Sequence, residues 1–315
     1  MSNQKSLAPI AVFAYNRPWH LQQTIEALLR NPEACASDLF IFSDGPKDDS
    51  SIERVREVRS YIRQVSGFKS VSIIEREQNY GLAKSIITGV SQVCGQLGKV
   101  IVLEDDLVTS PYFLKYMNDG LDYYEFEDKV ININSYVFPV NQRLPETFFL
   151  RGAGCLGWAT WQRGWSLFEE DGRNLLEQLL RRNLTEQFDF NGAYPYTFML
   201  KQQIAGKNNS WAVRWHASAF LQDKLTLHPA EPLVRHIGND GSGTNYGDHT
   251  GTDDFMGDRI STRAIKVGGI AIEQNLMATR LYEQYFKTFQ KAWLISLMYR
   301  IKNRIKKSLF RKHCA

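Results

Sequence analysis

The sequence predicts an α/β protein with an open, mostly parallel, twisted sheet flanked by helices and followed by a C-terminal helical extension. Short apolar runs alternate with helical patterns four times in about 120 residues, which is typical of such a sheet. The composition, 43% hydrophobic and 23% charged, is close to the globular average and supplies a full core. The last residues carry an amphipathic helical pattern, which predicts the extension.

Four strand–helix units fill the first part of the chain. They pair 9–15 with 19–30, 39–42 with 52–65, 70–75 with 82–93, and 100–103 with 111–126. The strands are nearly continuous apolar runs, as expected of strands buried on both faces of a parallel sheet. Ligands bind such sheets at the carboxyl ends of the strands, where the strand order reverses. We therefore expect the polar residues directly after each strand to form the site.

Beyond residue 128 the pattern changes to isolated strands, a loop rich in Gly and Trp, and shorter helices. We expect one domain over 1–258, with a first half at 1–128 and a second half at 129–258. The extension then covers 259–315.

The extension contains a basic, amphipathic segment. Residues 287–312 hold nine Lys or Arg and no acid, with apolar residues at spacings of three and four. This pattern is typical of a helix on an anionic membrane surface, and a helix packed on the main domain with a solvated charged face is the alternative. We do not expect nucleic acid as a partner.

Residues 1–7 lack the basic and apolar regions of a secretory signal, and no stretch has about 18 uninterrupted apolar residues. We therefore expect a cytoplasmic protein, with peripheral association at the inner face of the cell membrane. The four cysteines form no C-x-x-C pair, so neither a zinc cage nor a disulfide framework is expected.

Three consecutive acids, Glu104, Asp105 and Asp106, follow the fourth strand. Their mutual repulsion and desolvation are costly unless a cation binds there. Mn²⁺ or Mg²⁺ fits, because these ions use one or two carboxylates and complete their shell with phosphates and water. The alternative is that the acids only favour the start of the following helix.

Several ordered motifs resemble a known family. They are Phe13–Pro18 (FAYNRP), Ser43–Gly45 (SDG), Asn79–Ser85 (NYGLAKS), Val102–Asp106 (VLEDD) followed by Ser110-Pro111, and Gly157–Trp161 (GWATW). Over about residues 9–245 the chain resembles bacterial GT-A-fold glycosyltransferases of the nucleotide-diphospho-sugar transferase superfamily. It is more remotely similar to N-acetylglucosaminyltransferase I. The resemblance implies that 1–128 is the nucleotide-binding half and 129–258 the acceptor-side half.

The resemblance also implies roles for the residues after the strands. Asp106 would be the metal ligand, and Asp105 would lie near the ribose or the donor sugar. Asn16 and Asp44 would contact the base and ribose, with Arg17 nearby. The remaining members of the expected nucleotide-sugar site are Gly81, Lys84, Ser85, Glu104, Gly157 and Trp158. Lys84 and Ser85 begin a helix, where anions are favoured, and Trp158 offers an apolar face to a sugar ring.

An inverting transferase needs a group that accepts the acceptor hydroxyl proton. In relatives this acid lies in a Trp-Asp segment that opens a late helix, and the matching position here is Ala212. His216, about one turn further on, and Asp240, in a Gly-rich loop, are the candidate replacements.

The expected function is a metal-dependent, inverting transfer of a hexosyl or N-acetylhexosaminyl group in surface polysaccharide biosynthesis. A UDP-sugar is the expected donor and a glycan or lipid-linked glycan the acceptor. Two alternatives stay open: a nucleotidyltransferase that forms sugar nucleotides, and a non-catalytic module that binds nucleotide or glycan. The dehydrogenase GxGxxG and the P-loop motif are both absent from the sequence.

Overall fold

The computed structural model describes residues 6–242 and 257–288. Its main sheet has eight strands in the order β3-β2-β1-β4-β8-β6-β9-β7, and β5 and β10 form a separate pair. The strands are β1 (Ile10–Ala14), β2 (Asp38–Ser43), β3 (Ser70–Glu75), β4 (Lys99–Glu104), β5 (Leu107–Thr109), β6 (Val130–Asn134), β7 (Thr147–Arg151), β8 (Trp158–Trp161), β9 (Leu225–Pro229) and β10 (Val234–His236).

The sheet is mostly parallel, as the sequence predicted. Strands β1, β2, β3 and β4 pair in parallel, and so do β6 and β9. Strand β8 lies antiparallel between β4 and β6, and β7 lies antiparallel to β9. The chain runs from β1 outward through β2 to β3 and then returns to β4 on the other side of β1. The strand order therefore reverses between β1 and β4, and the crevice at their carboxyl ends is the expected ligand position.

The helices follow the strands as the alternation predicted. They are α1 (Pro18–Leu29), α2 (Ile52–Ile62), α3 (Gly81–Leu97), α4 (Phe113–Tyr123), α5 (Gln162–Trp165), α6 (Gly172–Arg181), α7 (Thr185–Phe188), α8 (Tyr196–Ile204) and α9 (Trp211–Leu221). Pro18 favours the start of α1, because proline has no N–H to leave unbonded and its φ is already helical. Gly98, with φ of 78°, ends α3 in the left-handed conformation.

Alternate residues of β1 pack into two separate cores. Ile10 and Val12 face one side and contact the α1 core with Leu21. Ala11 and Phe13 face the other side, where α3, α9 and a group of tryptophans pack. Both faces of the strand are thus buried, which explains its continuous apolar sequence.

The described part of the C-terminal extension lies against edge strand β7. Residue Asn275 donates its N–H to the carbonyl of Phe149 at 2.8 Å, and the following residues 276–288 are helical. Tyr282 and Phe286 of this helix are buried in an aromatic cluster with Phe148. The basic pattern expected over 287–312 lies outside the described residues from 289 onward. Within 6–242 and 257–288, we find no helix with the length and apolar character needed to cross a bilayer.

Two glycines of α3 give a direct test of its packing. A Cβ at Gly89 would lie 2.5 Å from Cε1 of Phe13, whose ring is stacked on Phe42, whereas a Cβ at Gly95 would meet nothing within 4 Å. We expect Gly89→Ala to lower the free energy of unfolding by about 2 kcal/mol through overpacking. Gly95→Ala should instead raise it by about 0.5–1 kcal/mol, because alanine is the better helix former. Urea denaturation of both variants measures the change in the free energy of unfolding. Equal changes in the two variants would contradict the close packing of Gly89 against Phe13.

Candidate active site

The acids after β4 lie in the crevice between β1 and β4. Asp105 and Asp106 are 4% and 6% exposed. Arg17, which precedes the first residue of α1, donates from Nη2 to Asp105 Oδ1 and, at 2.8 Å, to Asp106 Oδ2. Thr24 of α1 donates to the backbone carbonyl of Asp105 at 2.9 Å. The β1–α1 turn thus supplies the positive charge that neutralises the end of β4.

His236, which the sequence analysis missed, joins the same cluster. The antiparallel pairing of β10 with β5 places His236 opposite Leu107, next to Asp106. Its Nε2 lies 3.2 Å from Asp106 Oδ2, and Ile237 donates its N–H to the Asp106 carbonyl at 2.9 Å. A Cβ at Gly238 would lie 2.4 Å from Asp106 Oδ2, so only glycine allows the backbone this close. The residues after β10 therefore cover the carboxylates directly.

The three acids differ in charge state. Burial and the neighbouring Asp106 and Asp105 raise the pKa of Glu104 to about 8, so it is mostly protonated at neutral pH. Burial raises the pKa of Asp105 to about 6, although Arg17 opposes the shift. Burial would also raise the pKa of Asp106, but hydrogen bonds and charge from His236 and Arg17 outweigh it and lower that pKa to about 2. At neutral pH the negative charge therefore lies on the Asp105–Asp106 pair.

Asp44, after β2, is bound to the turn that begins α3. Its Oδ1 accepts from the N–H groups of Gly45 at 3.0 Å and Tyr80 at 2.8 Å, and its Oδ2 accepts from Gly81 at 2.8 Å. Gly81 has φ of 70°, in the left-handed region that favours glycine. The structure thus gives the Asp44 carboxylate backbone partners within the protein. Whether it also contacts a nucleoside stays a prediction.

Positive side chains surround the N-terminus of α3. Lys84 Nζ lies 4.1 Å from the ring centre of Tyr80, and the guanidinium of Arg76 lies 4.3 Å from it. Arg76 also donates to Ser85 Oγ at 3.1 Å. Asp44, Gly81, Lys84 and Ser85 therefore lie together at one corner of the sheet, while Asn16 lies half-buried in the turn beside Arg17.

The glycine-rich loop before β8 is held by polar side chains of the sheet. Asn132 bonds both the N–H and the carbonyl of Gly154, each at 3.3 Å, and Thr226 donates to the Gly152 carbonyl at 2.6 Å. Gly157 has φ of 56°, and a Cβ there would lie 2.6 Å from Ser135 Oγ. Side chains from two strands thus fix the backbone path of this loop.

Trp158 lies inside the core. It is 1% exposed and stacks on Trp211 with 5.4 Å between ring centroids, in a group that also contains Trp165 and Trp215. Trp158 is the first residue of β8, and its side chain points to the sheet face that α3 and α9 cover. The structure therefore gives it a core role in place of the stacking face expected for a sugar.

The two candidate proton acceptors lie in different surroundings. His216, on α9, is buried beneath the glycine-rich loop, where its Nδ1 lies 3.2 Å from the Ala153 nitrogen and 3.1 Å from the Ala153 oxygen. Asp240 lies beside the acidic cluster, with Oδ2 3.2 Å from Nε2 of His20 and with 49% of its side chain exposed. The structure thus brings Asp240, and not His216, to the region of Arg17. A catalytic role for either stays a prediction.

The open sheet, its reversal between β1 and β4 and the acids at that point define a GT-A nucleotide-diphospho-sugar transferase. Residues 10–174, more than half of the chain, match the family described as Glycosyl transferase family 2, and the chain belongs to this family. The match ends well before residue 245, the limit of the resemblance seen in the sequence.

Solved structures show partial similarity. A structure of S. aureus TarS is 15% identical, with a TM-score of 0.30 over 44% of this chain, and this chain spans 23% of that one. A UDP-glucose pyrophosphorylase complexed with UDP-glucose is 11% identical, with a TM-score of 0.36 over 71% of this chain and 90% of that one. The mannosyltransferase PcManGT from Pyrobaculum calidifontis, in complex with GDP-Man and Mn²⁺, is 11% identical, with a TM-score of 0.36 over 70% and 73%. No curated protein matches the sequence.

The surroundings of His216 predict a pH effect on stability. Burial lowers the pKa of His216 to about 4, below the 6.5 of an unperturbed histidine. On acidification the unfolded chain takes up the proton first, so the free energy of unfolding should fall between pH 6.5 and pH 4. His216→Phe should remove a part of that loss on the order of 2 kcal/mol. Tyr196→Phe, a change to a ring neighbour that does not titrate in this range, is the control and should keep the wild-type slope. Urea denaturation at several pH values measures the slopes, and an unchanged slope in His216→Phe would be inconsistent with a buried, neutral histidine.

Proposed function

We propose that this protein transfers a sugar from a nucleotide-diphosphate donor to a glycan or lipid-linked glycan, with a divalent cation and with inversion. The donor we favour is a UDP-hexose or UDP-N-acetylhexosamine, and the process is surface polysaccharide synthesis. The observation that carries the proposal is the buried Asp105–Asp106 pair at the strand-order reversal of a family 2 glycosyltransferase domain. A divalent cation would offset the negative charge of that pair, and the diphosphate would complete the coordination shell of the ion.

The donor chemistry of the site fits Mn²⁺ or Mg²⁺. Asp106 offers a carboxylate and His236 an imidazole, with their nearest atoms 3.2 Å apart. No group of three or more His, Cys, Asp or Glu among the described residues could hold a metal ion. Two protein ligands are nevertheless sufficient for an ion that takes the rest of its shell from a diphosphate and water. When bound, the cation would stabilise the negative charge of the leaving nucleoside diphosphate.

The chain's own residues would bind and orient the donor around that ion. The backbone turn that Asp44 fixes also positions Lys84 and the N-terminus of α3, which would favour an anionic group of the donor. Glu104, protonated at neutral pH, adds no further negative charge. The loop held by Asn132 would form one wall of the sugar site, with its backbone path set before the donor arrives.

For the proton acceptor we favour Asp240. Ala212 has no acidic group, and it packs against the tryptophan-containing core. The Asp240 carboxylate is half exposed at the same edge as Asp106, so an acceptor hydroxyl could reach it. Burial of His216 under the glycine-rich loop makes that residue the less accessible of the two.

We further propose a catalytic domain over 1–258 and an extension over 259–315 that holds the enzyme at the cytoplasmic face of the membrane. The helix at 276–288 supports this arrangement, because it is docked on β7 by Tyr282 and Phe286 and leads directly into the basic residues. Those residues would be attracted to anionic lipids.

Calorimetric titration with a panel of UDP-, GDP-, CMP- and dTDP-sugars tests the donor site. We expect one nucleotide class to bind the wild type, and Mn²⁺ to increase its affinity. Asp106→Asn should lose at least about tenfold of the Mn²⁺-dependent affinity, because it removes the carboxylate that would hold the ion. Asp119→Asn, which removes an exposed carboxylate paired with Lys115, is the matched control and should bind as the wild type does.

The same samples separate a transferase from a non-catalytic module. A transferase should slowly hydrolyse the bound donor or transfer its sugar to an added acceptor. Binding of a donor with no turnover under any condition would favour the non-catalytic module. The absence of binding by every donor, in protein shown to be folded, would contradict the proposed function.

A further inference from the structure

The guanidinium of Arg17 contacts both buried carboxylates, at the place where a divalent cation would be expected to bind. A single nitrogen, Nη2, donates to both Asp105 and Asp106, and the guanidinium is largely buried. Burial by itself would lower the pKa of Arg17, but the two carboxylates outweigh it and raise that pKa, so the group keeps its charge at every physiological pH. The side chain is thus a permanent internal counter-ion of the pair.

The acceptor capacity of Asp106 Oδ2 is already used. A carboxylate oxygen has two lone pairs, and Arg17 at 2.8 Å and His236 at 3.2 Å both approach this one. Gly238 closes over the same atoms, since a Cβ there would lie 2.4 Å from Oδ2 and 2.9 Å from Nη1 of Arg17. A divalent ion could not take this oxygen while Arg17 remains on it, because the two positive charges would also repel each other.

We propose that Arg17 is a latch that keeps the divalent cation off Asp106 until the donor arrives, and that it then transfers its hydrogen bonds to the donor diphosphate. The proposal rests on the proposed function, because it assumes that a nucleoside diphosphate binds beside this pair. A diphosphate offers Arg17 a partner equal to the one it leaves, since guanidinium groups bond phosphate oxygens as readily as carboxylates. The same anion also supplies ligands that the two protein groups lack for a cation.

Under this proposal, binding of the nucleotide and binding of the divalent cation depend on each other. Without nucleotide, the cation must break the Arg17–Asp106 bond, and the arginine is left without a partner. With nucleotide, the diphosphate receives the arginine and the carboxylate becomes accessible. Nucleotide and cation should therefore each raise the affinity of the other by the same factor. Arg17 would act as a positioning residue for the cation and as a binding residue for the diphosphate.

Binding of Mn²⁺ alone tests the latch without any turnover. The free Mn²⁺ signal in electron paramagnetic resonance is titrated at pH 8 against wild type and Arg17→Gln, with and without UDP or GDP. Arg17→Gln should bind Mn²⁺ about tenfold more tightly than wild type without nucleotide, the factor that corresponds to about one charge-assisted hydrogen bond. With nucleotide, the gain in Mn²⁺ affinity should be smaller in Arg17→Gln than in wild type.

Two further variants make the result specific. Arg30→Gln removes the same charge from an exposed position at the other end of α1 and should bind Mn²⁺ as the wild type does. Arg17→Lys keeps a positive charge but replaces the planar guanidinium fork with a compact ammonium group, so its affinity for Mn²⁺ alone should lie between those of wild type and Arg17→Gln. If Arg17→Gln does not fold, Arg17→Lys tests the proposal in its place, because it too should bind Mn²⁺ alone more tightly than wild type does.

The failure of the latch can be told from the failure of the proposed function. The latch is wrong, and the function stands, if nucleotide makes the wild type bind Mn²⁺ through Asp106 but the Arg17 variants bind Mn²⁺ alone no more tightly than wild type. Asp106→Asn identifies that case, because it should abolish the nucleotide-dependent binding. If no form binds Mn²⁺ with either nucleotide, both the latch and the metal-dependent function are overturned.

Discussion

Repulsion among the carboxylates at the end of β4 is the constraint around which the neighbouring elements are arranged. Asp105 and Asp106 are almost fully buried, and buried acids this close need compensating charge and hydrogen bonds. The compensation comes from two distant parts of the chain. The β1–α1 turn supplies Arg17, and the end of β10 supplies His236. The parallel pairing of β1 with β4 and the antiparallel pairing of β10 with β5 are what bring both side chains to the same oxygen atom.

The carboxylates have apolar side chains on one side and polar groups on the other. Behind the acids, both faces of β1 and β4 are covered by aliphatic and aromatic side chains. In front of them lie charged and amide groups, from Arg17 to the loop held by Asn132. Low polarity behind the site strengthens each charge interaction within it. Burial, together with the neighbouring Asp106 and Asp105, is also what raises the pKa of Glu104 to about 8.

The part of this architecture that follows from local sequence was predictable, and the part that depends on long-range pairing was not. Alternating strands and helices, and polar residues after each strand, identified the sheet and the rim from Arg17 to Asp106. His236 ends a three-residue strand whose pattern is too short to read, and its partner β5 is equally short. The family resemblance implied that Trp158 would offer the face of its ring to a sugar. Only the antiparallel position of β8 between β4 and β6 shows that its ring faces the core.

The residues after β10 connect three parts of the proposed chemistry. His236 would ligate the cation, Gly238 lies against both Arg17 and Asp106, and Asp240 is paired with His20 of α1. Since all three lie within five consecutive residues, one short stretch of backbone sets the positions of His236 and Asp240 relative to Asp106. Ala212, where the family resemblance implied an acid, packs against an apolar core in which a carboxylate would be costly. A proton acceptor on the segment after β10, as proposed for Asp240, avoids that cost.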